Sequence, residues 1–477
     1  MKLLISYLHF PEIIFAVLIS LVLLINLRLR NQDQARWSYW CSQLSLFIVL
    51  ALTWQQKQLL NSVNWDNFFI FNPAIRTLQL FIIISAIFAL AYSKNFFSAF
   101  PKLAYDYCLL FLFSILGMLT LVSSNHLLSL FLSIELISLP QFALIALQQK
   151  GESAEAALKY FALSVFATAL MLYGFSFVYG LTGNLNLSSI SEALHFTSVN
   201  NLLMLITAII FILVALAFKL NAAPFHFWAP DVYQAAPAPI IALISSAPKI
   251  AILVIIIRLC NQTFPEFFHH WQAIWQAISI ISITLGNIAA IAQYVIRRML
   301  AYSAIAHMGY VLLGLICGTS LGNSAALMYM LSYALMTLAA FGALIVISNQ
   351  GFAISLLDDL RGLNTRNPWI AFMILIIMFS MAGIPPTLGF FAKLNILQAL
   401  ISSHLIGLAA YSLIFSIIGA FYYIRVVKIM YFETPTDNAP LLTSLHSKCV
   451  LSLNTLIILI LGILPSYLIS LCQGVYG

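Results

Sequence analysis

Three lysines and one glutamate stand inside apolar runs long enough to cross a bilayer. They are Lys219, Lys249 and Lys393, with Glu135 in Leu132-Ser133-Ile134-Glu135-Leu136-Ile137-Ser138-Leu139-Pro140. A charge at such a place costs roughly 2.5–3.5 kcal/mol on insertion scales, so each needs a reason to be there. Lys219 opens a stretch that breaks up in prolines, from Phe218 through Pro224, Pro230 and Pro237 to Pro239, before the next apolar run brings Lys249. A Pro-interrupted span is tolerated only where protein or a water-filled cavity satisfies the freed backbone. Removal from water disfavours an ammonium and brings proton exchange by a buried lysine toward neutral pH; a nearby carboxylate reverses the effect. Movement of Glu135 toward or away from Lys219 would therefore switch the lysine between holding and releasing a proton. One pK unit is about 1.4 kcal/mol and a charge crossing 100 mV costs about 2.3 kcal/mol, so shifts of a few units match work done against a membrane potential. The bland reading is a static ion pair that fixes helix packing, yet three lysines against one glutamate do not balance as static pairs. These residues point to proton translocation.

Two histidines are candidates for the same path. His307, in Ala301-Tyr302-Ser303-Ala304-Ile305-Ala306-His307-Met308-Gly309-Tyr310, lies mid-span and reads either as a relay or as a hydrogen-bonded packing residue. His226 adjoins the broken stretch and reads as a proton-uptake group or as a cap of the break. Asp231 is expected to cap a helix N-terminus, and His269-His270 to be solvated in an outside loop. Glu12, near the outer end of the first span, is expected to reach lipid headgroups. The many Phe and Tyr residues read as lipid-facing packing and interfacial belts.

Positioning these groups requires a polytopic all-α membrane protein. Apolar spans of about 20 residues fall at 9–27, 38–54, 77–93, 107–124, 127–147, 157–181, 202–220, 238–259, 272–294, 300–318, 323–348, 369–390, 404–430 and 450–472, about fourteen helices. With the N-terminus outside, the cytoplasmic side holds Arg28, Arg30, Arg36, Lys94, Lys102, Lys150, Lys159, Arg297, Arg298, Arg361, Arg366, Arg425, Lys428 and Lys448. The outside holds Lys2, Lys57, Arg76 and Arg258. That excess follows the positive-inside rule loop by loop and puts both termini outside. Gly383-Ile384-Pro385-Pro386-Thr387-Leu388-Gly389 interrupts an apolar run just before Lys393, as Pro224 does just after Lys219. Paired interruptions of this kind point to transporter-type repeats, and an odd number of spans per repeat inverts the second copy.

Composition excludes other classes. The chain is 62% hydrophobic and 7% charged, with mean hydropathy +1.01, where soluble domains are about 25% charged. The formal charge of +7 sits at the ends of apolar runs and marks topology rather than nucleic-acid binding. Six cysteines form no C-x-x-C pair, and Gly-x-Gly-x-x-Gly and P-loop patterns are absent, so no metal, iron–sulfur or nucleotide site is expected within the chain. Met1 to Leu27 reads as a retained first span, too long and without a cleavage site for a signal peptide.

At the same residues the chain resembles the antiporter-like membrane subunits of respiratory complex I. Pro224-Phe225-His226-Phe227-Trp228-Ala229-Pro230-Asp231-Val232-Tyr233-Gln234-Ala235-Ala236-Pro237-Ala238-Pro239 carries the resemblance. Glu155 to Phe161, Leu300 to Tyr310 and Gly383 to Lys393 agree with it. The sister subunits M and L diverge after the Trp-x-Pro-Asp part. M has a glutamate where this chain has Lys393, and L continues into a long lateral helix for which the chain leaves no room beyond Gly477. Pro385-Pro386 departs from the family pattern. The resemblance implies two inverted five-helix repeats with a broken helix in each. It divides the chain into an N-terminal three-helix segment (1–106), repeats at 107–260 and 271–430, and a C-terminal helix (449–477). It implies proton-relay roles for Glu135, Lys219, Lys249 and Lys393, and coupling of proton pumping to electron transfer from NADH to quinone. NADH, FMN, iron–sulfur clusters and quinone would belong to partner subunits, among them subunit M and small membrane subunits, in a bacterial inner membrane with its lipids. A subunit of a multi-subunit sodium/proton antiporter and a non-transporting scaffold are the alternative readings.

Overall fold

In hydrocarbon no water is present to take up a free N–H or C=O, so an apolar run of bilayer length is driven into a helix that satisfies itself. The computed structural model describes residues 10–28, 34–56, 63–65, 68–194, 202–348, 355–435 and 443–476; Lys2, Arg30 and Lys57 lie outside the described residues. Among those described, eleven helices are long and apolar enough to cross a membrane. Three shorter apolar helices, Pro11–Leu27, Pro368–Ala382 and Leu388–Ser402, accompany them. The Ser-, Gln- and Trp-rich second span is a helix of 22 residues, Gln34–Gln55. Each run expected as a span falls on helix, three of them divided, and a small antiparallel hairpin, Val63–Trp65 with Phe69–Phe71, is the added strand element.

Three spans are interrupted where the sequence carries proline. Pro368–Ala382 and Leu388–Ser402 are the two halves of the broken span that carries Lys393. The run expected as 238–259 is divided into Ala238–Ile244 and Ala247–Arg258. Pro248 explains that division, because it has no N–H and its ring clashes with the carbonyl of Ile244, four residues back. Pro465 likewise separates Leu445–Ile463 from Ser466–Tyr476, so the run expected as 450–472 is not one helix.

The described chain forms two compact units, 1–216 with 247–267, and 217–246 with 268–477. In the first, Ala247–Arg258 is buried along its whole length. In the second, Ser320–Ile347 is buried at every position from Gly322 to Ile347, as a helix apolar on all sides must be. There Phe268–Ile291 and Ile296–Ile316 lie close enough for Ser279 Oγ to donate to the Gly309 carbonyl at 2.7 Å.

Two charges in the first unit sit differently from expectation. Glu12 is buried rather than in the headgroups, 7% exposed. Gln79 Nε2 donates to its Oε1 at 2.5 Å and Ser123 Oγ at 3.3 Å. Donors from two neighbouring helices thus replace water. Arg258 is buried rather than looped out, 6% exposed. Its Nη1 donates to the carbonyls of Val122 at 3.2 Å and Ser124 at 2.5 Å, and Nη2 to Asn125 Oδ1 at 3.1 Å. It therefore caps the C-terminal end of helix Ala104–Ser123, where orphan carbonyls and the helix dipole favour a cation. Arg258→Met leaves these acceptors buried without a donor and is expected to cost roughly 2–4 kcal/mol. A thermal melt of the detergent-purified protein reads it, with Arg258→Lys losing less; equal midpoints for all three proteins would refute the capping role.

Candidate functional site

Helix Leu202–Leu220 ends one residue after Lys219 because Asn221 takes a left-handed conformation, φ +65°, and Pro224 follows across a cis bond. The freed backbone is then satisfied in turn. Ala222 N donates to the Ala217 carbonyl at 3.0 Å, Trp228 Nε1 to Phe218 O at 3.3 Å, and Ala223 N to Ser282 Oγ at 2.8 Å. Asn221 Nδ2 donates to Tyr233 OH at 3.3 Å, linking the break to the next short helix, Trp228–Ala235. Lys219, partly buried, thus lies in the last turn of helix Leu202–Leu220, at the negative end of its dipole. That position favours an ammonium by about 0.3–1 kcal/mol on a surface and up to about 2 kcal/mol where partly buried.

Lys393 reaches the same kind of place by another route. It lies inside the second half-helix, Leu388–Ser402, and its Nζ donates back to the Ala382 carbonyl at 2.8 Å, the last residue of Pro368–Ala382. A second bond goes to Ser416 Oγ at 2.9 Å, and Nζ stands 5.4 Å from the centroid of the Tyr310 ring, within cation–π range. Gly383, at φ +83°, ends the first half-helix, and a Cβ there would come within 2.9 Å of Lys393 Cδ. The turn thus needs glycine both for its conformation and for the lysine lying across it. The Pro385–Pro386 bond is cis. Tyr310, Phe390, Leu394 and Ser412 help line a cavity of about 140 Å³ at this lysine.

His307 lies on the other side of Lys393. Its Nδ1 meets Tyr329 OH at 2.9 Å and its Nε2 meets Tyr423 OH at 3.0 Å. The adjacent Tyr422 is turned about 100° around the helix from Tyr423 and donates to Asn287 Oδ1 at 3.2 Å. A small cavity of about 10 Å³, room for one water-sized sphere, is lined by His307, Tyr310, Lys393, Asn287, Tyr422 and Tyr423. A neutral imidazole between two hydroxyls accepts a proton on one nitrogen and gives one up from the other. His307 and Lys393 therefore face one water-sized cavity from opposite ends of a polar cluster.

In the first unit, Glu135 is partly buried on helix Leu127–Ala146, and Thr168 Oγ1 donates to its Oε1 at 2.8 Å. Pro140 interrupts the hydrogen-bond ladder of that helix one turn farther on. Lys249 is 1% exposed, in the first turn of Ala247–Arg258. The helix dipole there opposes a cation, the reverse of the setting at Lys219. His226 is 5% exposed within the break, its ring stacked on Phe227 with centroids 4.8 Å apart. Asp231 does not cap a helix. Phe227 holds the N-cap position, and Asp231 sits in the first turn, where Arg298 Nη1 donates to it at 3.0 Å.

Residues 124–419 match the family described as NADH:quinone oxidoreductase/Mrp antiporter, TM. NADH-quinone oxidoreductase subunit N of Coxiella burnetii is 42% identical over 467 residues, covering 97% of this chain and 96% of its own. The chain belongs to the NADH-quinone oxidoreductase subunit N family. A chain of respiratory complex I from Thermus thermophilus with bound aureothin superposes with TM-score 0.82 at 28% identity, covering 97% of this chain and all of that one. A chain of the Mrp complex from Dietzia sp. DQ12-45-1b reaches TM-score 0.84 at 19% identity, over 98% of this chain and 95% of that one, a likeness of fold alone.

Within this subunit N fold, the structure brings His307 and Lys393 to one cavity of the second unit, which also carries Lys219 and His226; Glu135 and Lys249 belong to the first unit. Tyr329, Tyr422, Tyr423, Asn287, Ser416 and Thr168 were not singled out by sequence reasoning. The tyrosines correct the expectation of lipid-facing aromatics, since Tyr422 and Tyr423 are 2% exposed and Tyr329 1%. The signal that could have found them is a hydroxyl-bearing ring in the middle of a span, where an interfacial belt does not reach.

Proposed function

We propose that this chain is a proton-translocating membrane subunit of NADH:quinone oxidoreductase, driven by electron transfer from NADH to quinone in the rest of the complex. One observation carries the reading: Lys219 and Lys393 each sit at the carbonyl end of a helix that a break terminates, and Lys393 shares a water-sized cavity with His307. Protons enter from the cytoplasm near Lys219 and Lys249, with His226 as a proton-uptake group and Glu135 as a further member of the relay. They pass along the polar axis through His307 to Lys393 and leave on the opposite side. The repeats are 107–260 and 271–430, flanked by 1–106 and 449–477. The chain carries no redox centre; NADH, FMN, iron–sulfur clusters and quinone sit in partner subunits. Its neighbours are subunit M, small membrane subunits and lipids of a bacterial inner membrane, and both termini face the periplasm. The 42% identity to a subunit N favours this reading over a sodium/proton antiporter subunit, which shares the fold.

An affinity tag on this chain tests the assembly. It should recover NADH-oxidising activity from solubilised membranes. Recovery of other membrane antiporter subunits without that activity would move the assignment to the antiporter.

A further inference from the structure

The proton path makes no use of a basic and aromatic recess in the first unit, where helix Gln34–Gln55 begins and helix Pro73–Tyr92 ends. Arg36, Tyr39, Trp40, Lys94, Phe97 and Ser98 line a cavity there of about 270 Å³. Its walls are fixed before any ligand arrives. Ser93 Oγ bonds the Ala89 carbonyl at 2.9 Å and Tyr107 OH at 2.7 Å, setting the turn into the short helix Lys94–Ala99. Tyr39 and Phe97 are buried and pack edge to face at 6.0 Å. Lys94 Nζ is held 5.6 Å from the centre of the Trp40 ring and 6.0 Å from that of Tyr39. Trp40 itself is 52% exposed, as is Trp37 beside it. Among the described residues no carboxylate ion-pairs with Arg36 or Lys94. Two cations of one sign around a single recess call for an anion, and a guanidinium fork with an ammonium suits phosphate oxygens. The exposed indoles, a residue type of membrane interfaces, place that anion where acyl chains can lie against them.

We propose that this recess binds the phosphodiester headgroup of an anionic phospholipid, with Arg36 and Lys94 on the phosphate and the Trp40 ring along the acyl chain. The intact complex, purified in detergent and depleted of lipid, is irradiated with a diazirine-bearing phosphatidylglycerol. The probe should label the peptide that carries Trp40; phosphatidylglycerol should compete, whereas phosphatidylcholine and glycerol 3-phosphate should not. Arg36→Gln with Lys94→Gln should lower labelling about twenty-five-fold, two basic residues contributing a factor of about five each. Ala35→Phe, which fills the recess without touching a charge, should lower it too, with every protein compared at equal assembly. Equal labelling of wild type and both variants, or equal competition by phosphatidylcholine, marks ordinary surrounding lipid and overturns the proposal. Competition by glycerol 3-phosphate overturns it in favour of a soluble anion. Labelling that appears only after the complex is dissociated overturns it in favour of an acidic partner subunit.

Discussion

Lys219→Ala, in membranes where the complex assembles normally, is expected to depress NADH:quinone turnover and NADH-driven proton uptake together, each by at least about tenfold. General acid–base groups contribute typically 10²–10⁴-fold to the steps they serve, and a tightly coupled complex cannot turn over when its protons cannot move. The break's own backbone is held by Ala222, Ala223 and Trp228, and assembly measured on a native gel separates a lost relay from a lost fold. Lys219→Arg separates the two meanings of the charge. An arginine keeps the cation at the helix end but does not release a proton at any working pH. If Lys219 exchanges protons, the arginine variant is as impaired as the alanine variant. If it is one half of a static ion pair, the arginine variant works. Turnover that persists while uptake falls identifies a path that can be uncoupled. Wild-type values for both in Lys219→Ala would remove Lys219 from the relay and bring the scaffold reading forward.

The second large effect is structural. Gly389 opens the half-helix that carries Lys393, its N–H donates to Ser380 Oγ at 3.2 Å, and a Cβ built on it would overlap the Ser380 carbonyl oxygen. Backbone faces backbone there, so no flexible side chain can yield. Gly389→Ala must push the two half-helices apart, with a loss of about 3 kcal/mol, the upper end of what overpacking usually costs. The same displacement pulls Lys393 Nζ from the Ala382 carbonyl, so proton pumping should be lost in whatever complex still assembles. Gly407→Ala is the control: nothing lies within 4 Å of its added carbon, and alanine is the better helix former. A melting midpoint for Gly389→Ala equal to that of Gly407→Ala would contradict the close crossing described here.

Span positions and both lysine breaks were legible in the sequence because each rests on local chemistry. Apolar run length set the helices, Pro224 marked the break after Lys219, and Gly383 to Gly389 marked the one before Lys393. The missed features depend on which helices lie side by side. Glu12 read as a headgroup residue because Gln79 and Ser123 are far away in sequence. Arg258 read as a topology signal because its acceptors, Val122, Ser124 and Asn125, lie more than a hundred residues earlier. The hydroxyls around His307 come from Tyr329 and Tyr423, on two other helices. Pro248 could have been read locally, but the apolar run continues through it and hid the interruption.

The acceptor that Lys393 finds in Ala382 is a main-chain oxygen, and a main-chain oxygen cannot be mutated away. Drift in the side chains around such a lysine changes shape and wetness while leaving that oxygen in place, provided the glycine-bearing turn still ends the helix. Mutational robustness at this lysine is thus stored in chain geometry rather than in a partner residue. Divergence can retune what such a scaffold carries before it reaches what holds the cation.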